Sequence, residues 1–254
     1  MIKVRDLRKS FDDLEVLKGV NTEFEKGKTN LIIGQSGSGK TVFLKCLLGL
    51  FIPDSGTIEY NEKVYQNFSK DEKRELSTQM GMVFQGGALF DSMTVEENVM
   101  FPLKMLTKMG RAEMKNRVEE VLDRVNLVNT NTKFPSEISG GMQKRVSIAR
   151  AIVNKPRYLF CDEPNSGLDP RTAAVIDNLI QEITRENDIT TVINTHDMNS
   201  VFEIGENIVY LENGVKAWQG SKDNIYKTDN KQVTDFVYAS NLFQKVRIAQ
   251  KEGL

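Results

Sequence analysis

The stretch that decides the fold reads Gly34-Gln35-Ser36-Gly37-Ser38-Gly39-Lys40-Thr41. It follows the apolar run Leu31-Ile32-Ile33, which is typical of a strand, and it leads into a helical pattern from Val42 to Leu50. The glycines let successive backbone N–H groups surround a pyrophosphate, the lysine reaches the terminal phosphates, and the threonine hydroxyl binds magnesium. A plain glycine turn needs neither of these two side chains. The stretch therefore predicts a P-loop that binds a nucleoside triphosphate with Mg²⁺.

Length, charge and cysteine content limit the other possibilities. A chain of 254 residues with 39% hydrophobic residues can bury one large core and a smaller lobe, but not two nucleotide-binding domains. The net charge of −1, from 34 basic and 35 acidic residues, gives no field that would attract nucleic acid, so no nucleic-acid partner is expected. Cys46 and Cys161 are placed for neither a disulfide framework nor a metal site. No apolar run approaches the ~20 residues of a membrane span, so we expect a soluble chain.

The apolar periodicity predicts an α/β fold with a parallel core sheet. Two short strands, 2–7 and 16–24, form a small antiparallel β subdomain before the P-loop. An inserted helical subdomain follows at about 86–156, and strands then alternate with a helix from Arg157 onward. We expect one nucleotide-binding domain over residues 1–224.

The last segment, 225–254, has helical spacing at Val233, Phe236 and Val237, and again at Leu242, Phe243 and Val246. Two interpretations stay open for this extension. It is a docking tail for a dimer or a larger complex, or it is a solvated end.

An acidic pair follows the apolar run Tyr158 to Cys161. If that run is a buried strand, Asp162 and Glu163 lie at the carboxyl edge of the sheet, where the P-loop also lies. Asp162 would then hold Mg²⁺ through its water shell, and Glu163 would polarise the water that attacks the γ-phosphate. Such a pair alone is usually a solvated turn, and the P-loop gives it significance.

A second phosphate-binding element is predicted at Ser139-Gly140-Gly141, which opens an apolar-patterned helix. The free N–H groups and the positive end of the helix dipole attract an anion there. Since the chain has one P-loop, this second element would grip a nucleotide that is bound elsewhere.

In this order the motifs resemble the ATP-binding cassette (ABC) family, over roughly residues 1–225. The six motifs are the P-loop, a glutamine after a strand, an LSGGQ-like signature, a strand with Asp-Glu, a Ser-Gly-Leu-Asp loop and a lone histidine. They correspond here to Gly34–Thr41, Gln85, Ile138–Met142, Leu159–Glu163, Ser166–Asp169 and His196.

The resemblance implies roles for further residues. Phe11 would stack on the adenine with Val16 beneath the ring, Asp169 would join the nucleotide-binding residues, and His196 would contact the γ-phosphate. Gln85 would ligate Mg²⁺ together with Thr41 and Asp162, and would sense the partner. Ser139, Gly140 and Gly141 would close over ATP held by a second copy, which makes a homodimer of cassettes part of the mechanism. The structural alternatives are an ordinary strand aromatic for Phe11, a polar cap for Gln85 and a structural histidine for His196.

Three positions depart from the common family pattern. Met142 replaces a glutamine, Val42 replaces a hydroxyl residue, and Asn165 replaces a threonine or serine. Val42 removes one hydrogen bond to the nucleotide, so somewhat weaker binding is expected. Asn165 suggests no consequence at this level.

The segment from Gly86 to Ser92, with Ser139–Met142, resembles the ATPase subunit of Mla-type bacterial lipid transporters. That resemblance implies ATP-driven phospholipid transport with an integral-membrane permease and an MCE-domain lipid-binding protein, at the cytoplasmic face of the inner membrane. Leu89, Phe90, Met93 and Phe101 would then form a cleft for a permease helix, although such residues also pack helical cores.

Two other classes of ABC protein are compatible with this sequence. A soluble ABC scaffold ATPase of iron–sulfur cluster assembly fits the length, and so does an ABC importer ATPase for another substrate. The chain lacks the coiled-coil or zinc insertions of chromosome and DNA-repair ATPases, and it is too short for a translation factor with two cassettes.

Overall fold

A computed structural model describes residues 1–238, which pack as two compact units. The first unit consists of residues 1–67 and the described residues from 192 onward, and the second consists of residues 68–191. Ten strands occur within residues 1–238: β1 (Ile2–Phe11), β2 (Leu14–Phe24), β3 (Thr29–Ile33), β4 (Ser55–Tyr60), β5 (Lys63–Val64), β6 (Met80–Val83), β7 (Tyr158–Asp162), β8 (Thr190–Asn194), β9 (Asn207–Glu212) and β10 (Val215–Gly220).

The same residues contain nine α-helices: α1 (Lys40–Leu47), α2 (Lys70–Thr78), α3 (Val95–Leu106), α4 (Arg111–Arg124), α5 (Gly140–Ile152), α6 (Pro170–Glu186), α7 (Met198–Ile204), α8 (Lys222–Ile225) and α9 (Lys231–Val237). No helix of the described part is long and apolar enough to cross a membrane.

The antiparallel sheet of the first unit has the strand order β2-β1-β4-β5. β1 and β2 form a hairpin in which Ile2 pairs with Phe24. The turn between them uses Asp12 at φ 49°, a left-handed conformation that aspartate tolerates better than most residues. This is the small β subdomain that the alternating pattern predicts.

A second group of strands in the first unit positions the P-loop. β3 pairs parallel with β9, and β9 pairs antiparallel with β10. All five residues of β3 are buried, as expected for a strand that is covered on both faces. Because β3 ends at Ile33, the glycine-rich loop begins at its carboxyl end.

The second unit combines two parallel strands with most of the helices. β6 pairs with β7, and Val83 lies opposite Cys161. α6 presents buried Ile176, Ile180 and Ile183 at helical spacing. α3 begins with a capping box, in which the Thr94 hydroxyl accepts from the Glu97 N–H and the Glu97 carboxylate accepts from the Thr94 N–H.

The structure adjusts the predicted elements at their ends. The helix after the P-loop begins at Lys40, because Gly39 before it adopts a left-handed conformation (φ 102°). It ends at Leu47, two residues before Gly49, which is also left-handed (φ 72°). The β10 strand was not predicted, since its mixed, mostly half-buried residues show no clear alternation of apolar and polar side chains.

The C-terminal segment is packed as far as the structure describes it. Val233, Val237 and Tyr238 are buried, and the ring of Phe236 stacks on that of Tyr210 at 5.1 Å between centroids. The solvated-end interpretation is therefore wrong for residues 231–238. The predicted helical spacing at Leu242, Phe243 and Val246 lies outside the described residues.

Candidate nucleotide site

The P-loop curves between β3 and α1 and presents the start of that helix. No side chain caps the first turn of α1, whose N-cap residue is Gly39. Helix N-terminal N–H groups without a side-chain cap are ready partners for phosphate oxygens. Thr41, in the same turn, is exposed, so its hydroxyl is accessible to a metal ion.

The Lys40 side chain lies over its own loop. Its ammonium donates to the carbonyl oxygens of Gly34 at 2.8 Å and Gln35 at 3.0 Å. These bonds fix the charge at the centre of the curve while the residue stays 91% buried (9% exposed). A cation held in this way is preorganised for an anion.

Two observations show that the loop fits a phosphate group. The hydroxyl of Ser38 is buried, and no hydrogen-bond partner lies within reach of it among the described residues. A buried hydroxyl without a partner is costly, and a phosphate oxygen would satisfy it. Gly37, at φ 81°, has open space where a side chain would project. Gln35 and Ser36 are exposed beside it.

Two further predicted residues of the first unit lie near the P-loop. Val16 is adjacent to Gly39, where an added Cβ would meet the Val16 carbonyl oxygen at 3.2 Å. His196 follows β8 and is exposed, and the preceding Thr195 N–H donates to Ile32 of β3 at 3.1 Å. His196 therefore emerges beside the strand end from which the P-loop starts.

Phe11 lies at the end of β1 and is 39% exposed. Its ring makes an edge-to-face contact with Phe51 at 5.2 Å, and the Lys9 ammonium lies 5.3 Å from its centroid. One side of the ring is thus supported by the protein. Stacking on adenine stays a prediction for this residue.

In the second unit, two of the predicted catalytic residues contact each other directly. The Gln85 side-chain amide donates to a carboxylate oxygen of Glu163 at 3.0 Å. Glu163 follows Asp162, the last residue of β7, and adopts φ 47°. A left-handed conformation at a glutamate is uncommon, and such residues cluster at functional sites.

The signature Ser139-Gly140-Gly141 forms the start of α5, as predicted. The Ser139 hydroxyl caps the helix by accepting from the Met142 N–H at 3.3 Å. A Cβ on Gly141 would lie 2.9 Å from Thr172 Cγ2, so only glycine lets α5 approach the start of α6 this closely. Ser139 and Gly140 are exposed.

Asp169 caps the neighbouring helix. Its carboxylate accepts from the N–H groups of Arg171 at 3.1 Å and Thr172 at 3.0 Å. The hydrogen bonds from Thr172 lower the pKa of this carboxyl. The structure thus gives Asp169 a helix-capping role, and nucleotide contact stays a prediction.

Two polar contacts in the second unit were not found from the sequence. Asn165 donates to the buried carboxylate of Asp177 at 3.1 Å. This hydrogen bond gives a structural role to the asparagine that departs from the family pattern. Lys144 donates to the Gln85 carbonyl oxygen. Its signal was a charged residue within the apolar pattern of α5, at a position that turns out to be buried.

Comparisons with known proteins agree with this arrangement. The family model described as ABC transporter matches residues 17–166. A probable ribonucleotide transport ATP-binding protein, Mkl, of Mycobacterium leprae is 38% identical over 236 residues, which cover 93% of this chain and 68% of the relative. The methionine import ATP-binding protein MetN of Clostridium tetani is 38% identical over 224 residues, which cover 88% and 70%. The chain spans about two thirds of the length of these curated relatives.

Solved structures show the same fold. CbiO1 of Clostridium perfringens, part of the cbiONQ transporter complex, superposes with a TM-score of 0.83 at 29% identity and covers 98% of both chains. The dimeric cassette MJ0796, in a post-hydrolysis state with ADP and Pi, gives a TM-score of 0.78 at 31% identity, covering 87% of this chain and 99% of that one. With the P-loop and the signature motif in place, the chain belongs to the ABC transporter family and is an ATP-binding cassette ATPase that uses ATP and Mg²⁺.

Proposed function

We propose that this cassette is the ATPase subunit of a phospholipid transporter, working with an integral-membrane permease and an MCE-domain lipid-binding protein at the cytoplasmic face of the inner membrane. The observation that supports it best is the segment around Gln85. Its residues Gly86 to Ser92 resemble Mla-type ATPases, and it exposes Phe84 (42%) before Gln85 and Phe90 (40%) after it. Exposed aromatic residues within one short segment favour a protein partner.

That segment is preformed for docking. The Asn98 side chain, fully buried, donates to the carbonyl oxygens of Phe90, Met93 and Thr94 at 3.0–3.1 Å and accepts from the Phe90 N–H at 2.8 Å. Phe90 packs against Phe101 at 4.8 Å between ring centroids. Since the loop is tied to α3, a permease helix would meet a rigid apolar surface, which reduces the entropy cost of binding.

Each predicted site residue has a part in the proposed nucleotide chemistry. The P-loop, from Gly34 to Thr41, would hold the phosphates, and Thr41, Asp162 and Gln85 would hold Mg²⁺, which would neutralise charge on the phosphates. Glu163 accepts a proton from the attacking water, and His196 contacts the γ-phosphate. Ser139, Gly140 and Gly141 close over ATP held by a second copy of the chain.

A second candidate is import of a polar solute. The names of the relatives favour it, because Mkl is a probable ribonucleotide transport ATP-binding protein and MetN is a methionine import ATP-binding protein. In that case the same cassette chemistry would drive a different permease, and no MCE-domain protein would take part.

The test is a pull-down of the tagged Glu163→Gln chain from detergent-solubilised native membranes with ATP and Mg²⁺. We expect a multi-span permease with an MCE-domain protein and bound phospholipid. A permease without an MCE-domain protein would favour the importer, and recovery of soluble cluster-assembly proteins alone would contradict both.

A matched pair of variants tests the docking surface in the same experiment. Phe90→Ser removes an exposed aromatic residue five positions after Gln85, and Phe134→Ser removes one of similar exposure (41%) elsewhere in the second unit. We expect Phe90→Ser to lose the permease while Phe134→Ser keeps it. Equal recovery with both variants would place the permease surface elsewhere.

A further inference from the structure

Three side chains on one side of α5 donate hydrogen bonds to the backbone that follows Gln85. Lys144 donates to the carbonyl oxygen of Gln85, and Ser147 donates to that of Gly87 at 3.2 Å. Arg150 donates to the carbonyls of Gly87 and Ala88, both at 2.7 Å. The three lie three residues apart, so they project from neighbouring positions of the helix. We name Lys144, Ser147 and Arg150 the α5 donor row.

The backbone that the α5 donor row holds is bent. Gly87 adopts φ 75° and Ala88 adopts φ 46°, two consecutive residues in the left-handed region. A residue with a side chain, such as Ala88, keeps this conformation only where the surrounding structure enforces it. The bonds from Arg150 to both carbonyls supply that constraint.

The α5 donor row is costly to bury. Lys144 and Arg150 are 8% and 9% exposed, and burial lowers the pKa of both side chains. A buried cation is tolerated only when hydrogen bonds replace its hydration. Apolar residues fill the rest of the buried helix surface, so filling space did not require cations here. What the cations add is a fixed position for the segment they bond.

Lys144 also reaches the loop after β7. Its ammonium lies 3.4 Å from the Ser166 hydroxyl, which itself donates to the Gln85 carbonyl oxygen at 3.4 Å. The Ser166 N–H in turn donates to the Glu163 carbonyl oxygen at 3.2 Å. Lys144 therefore contacts the backbone of Gln85 directly and that of Glu163 through Ser166.

We propose that Lys144 is a positioning residue for ATP hydrolysis, which holds the Gln85 backbone where the Gln85 amide can bond the Glu163 carboxylate. The inference rests on the proposed roles of Gln85 and Glu163. It makes Gln85 move together with α5, whose first residues are the signature glycines. A displacement of the signature motif would then carry Gln85 with it.

The test compares three variants of the full-length chain: Lys144→Met, Lys144→Arg and the control Arg117→Met. Arg117 is also a largely buried cation that donates to backbone carbonyls of the α5 region, at Val153 (2.9 Å) and Ile152 (3.2 Å), at the end of the helix away from the signature. The measurements are kcat and KM for Mg·ATP, the thermal midpoint, and amide hydrogen exchange of residues 86–88.

We expect Lys144→Met to lower kcat about tenfold or more and to change KM less than about twofold, because misplacement affects the reacting geometry and leaves the P-loop intact. Exchange of the amides at 86–88 should rise. Lys144→Arg should recover most of kcat, since a guanidinium can donate to both Gln85 and Ser166. Arg117→Met should keep kcat within about twofold even if its thermal midpoint falls.

Three results would overturn the inference. They are a normal kcat in Lys144→Met, an equal loss in Arg117→Met, and a loss in Lys144→Met that Lys144→Arg does not recover. If Lys144→Met does not fold, Lys144→Gln replaces it under the same criteria. Glu163→Gln in the same assay separates the two proposals. Normal turnover in Glu163→Gln would remove the proposed role of Glu163. Normal turnover in Lys144→Met beside an inactive Glu163→Gln would remove only the role of Lys144.

Discussion

The Gln85 side-chain amide donates a hydrogen bond to the Glu163 carboxylate at 3.0 Å. The two residues are 78 positions apart in the sequence. Gln85 lies two residues after the end of β6, and Glu163 directly follows β7, which pairs parallel with β6. The bond fixes the carboxylate that we propose as the proton acceptor. It also couples that carboxylate to the segment that we propose as the permease surface.

Substitution of Glu163 tests the proton-acceptor role. In Glu163→Gln the new side chain still offers an oxygen to the Gln85 amide, so the geometry is retained while the base is lost. We expect ATP turnover to fall about 10²- to 10⁴-fold with nucleotide binding intact. Size-exclusion chromatography with Mg·ATP should show a persistent dimer. Glu113→Gln, at an exposed acid of α4, is the matched control and should keep its turnover.

Ser38 offers a test of the P-loop that does not depend on turnover. Because its buried hydroxyl has no partner among the described residues, Ser38→Ala should leave the thermal midpoint of the nucleotide-free chain unchanged or slightly raised. The loss of one hydrogen bond to phosphate should weaken Mg·ATP binding about two- to tenfold, measured by calorimetry. Lys40→Ala should weaken binding much further. Unchanged affinity in Ser38→Ala would show that its hydroxyl does not contact the nucleotide.

Local signals predicted the parts of the fold and site that depend on neighbours in sequence. The P-loop, the acidic pair and the signature each combine glycines or charges with an adjacent apolar pattern, so their place at a strand or helix end followed from spacing alone. The contacts of Lys144 with Gln85 and of Asn165 with Asp177 could not be predicted in this way. These contacts depend on which elements pack together. A polar residue within an apolar helix pattern indicates that it needs a partner, but the pattern does not identify that partner.

The two cysteines report on the two units separately. Burial raises the pKa of Cys46 in the first unit to about 11, and it also raises the pKa of Cys161 in the second. At pH 8 both thiols stay protonated and buried, so iodoacetamide should label neither until the unit opens. Mg·ATP should slow labelling of Cys46, because it lies in the helix that begins at the P-loop and ligand binding stabilises the folded state. Labelling of Cys46 at the same rate with and without Mg·ATP would contradict this.

The raised pKa of Cys46 also predicts how stability depends on alkaline pH. The unfolded thiol ionises near its ordinary value, while the folded thiol stays protonated to about pH 11. The thiol of the unfolded state therefore loses its proton first. The contribution of Cys46 to the free energy of unfolding is fully present below the ordinary thiol pKa, and it is lost as the pH rises toward about 11. Urea midpoints measured between pH 8 and pH 10.5 should decrease, and Cys46→Ala should reduce the part of the decrease that this thiol contributes.

The extension beyond residue 224 needs two truncations, because its first part belongs to the fold of the first unit. Ending the chain after Asn230 removes buried Val233, Val237 and Tyr238, and the Phe236 ring that stacks on Tyr210. Loss of such a cluster should lower the free energy of unfolding by several kcal/mol, so we expect a lower thermal midpoint and poor recovery of folded protein.

Ending the chain after Tyr238 keeps these buried contacts, including the hydrogen bond from the Tyr238 hydroxyl to the Ile225 carbonyl at 3.3 Å. If residues 239–254 dock on a second copy or a partner, this shorter truncation should keep the thermal midpoint and ATP affinity while it weakens dimerisation or complex assembly on a sizing column. Normal assembly would exclude a docking role for those residues, and a lowered midpoint would assign them to the core instead.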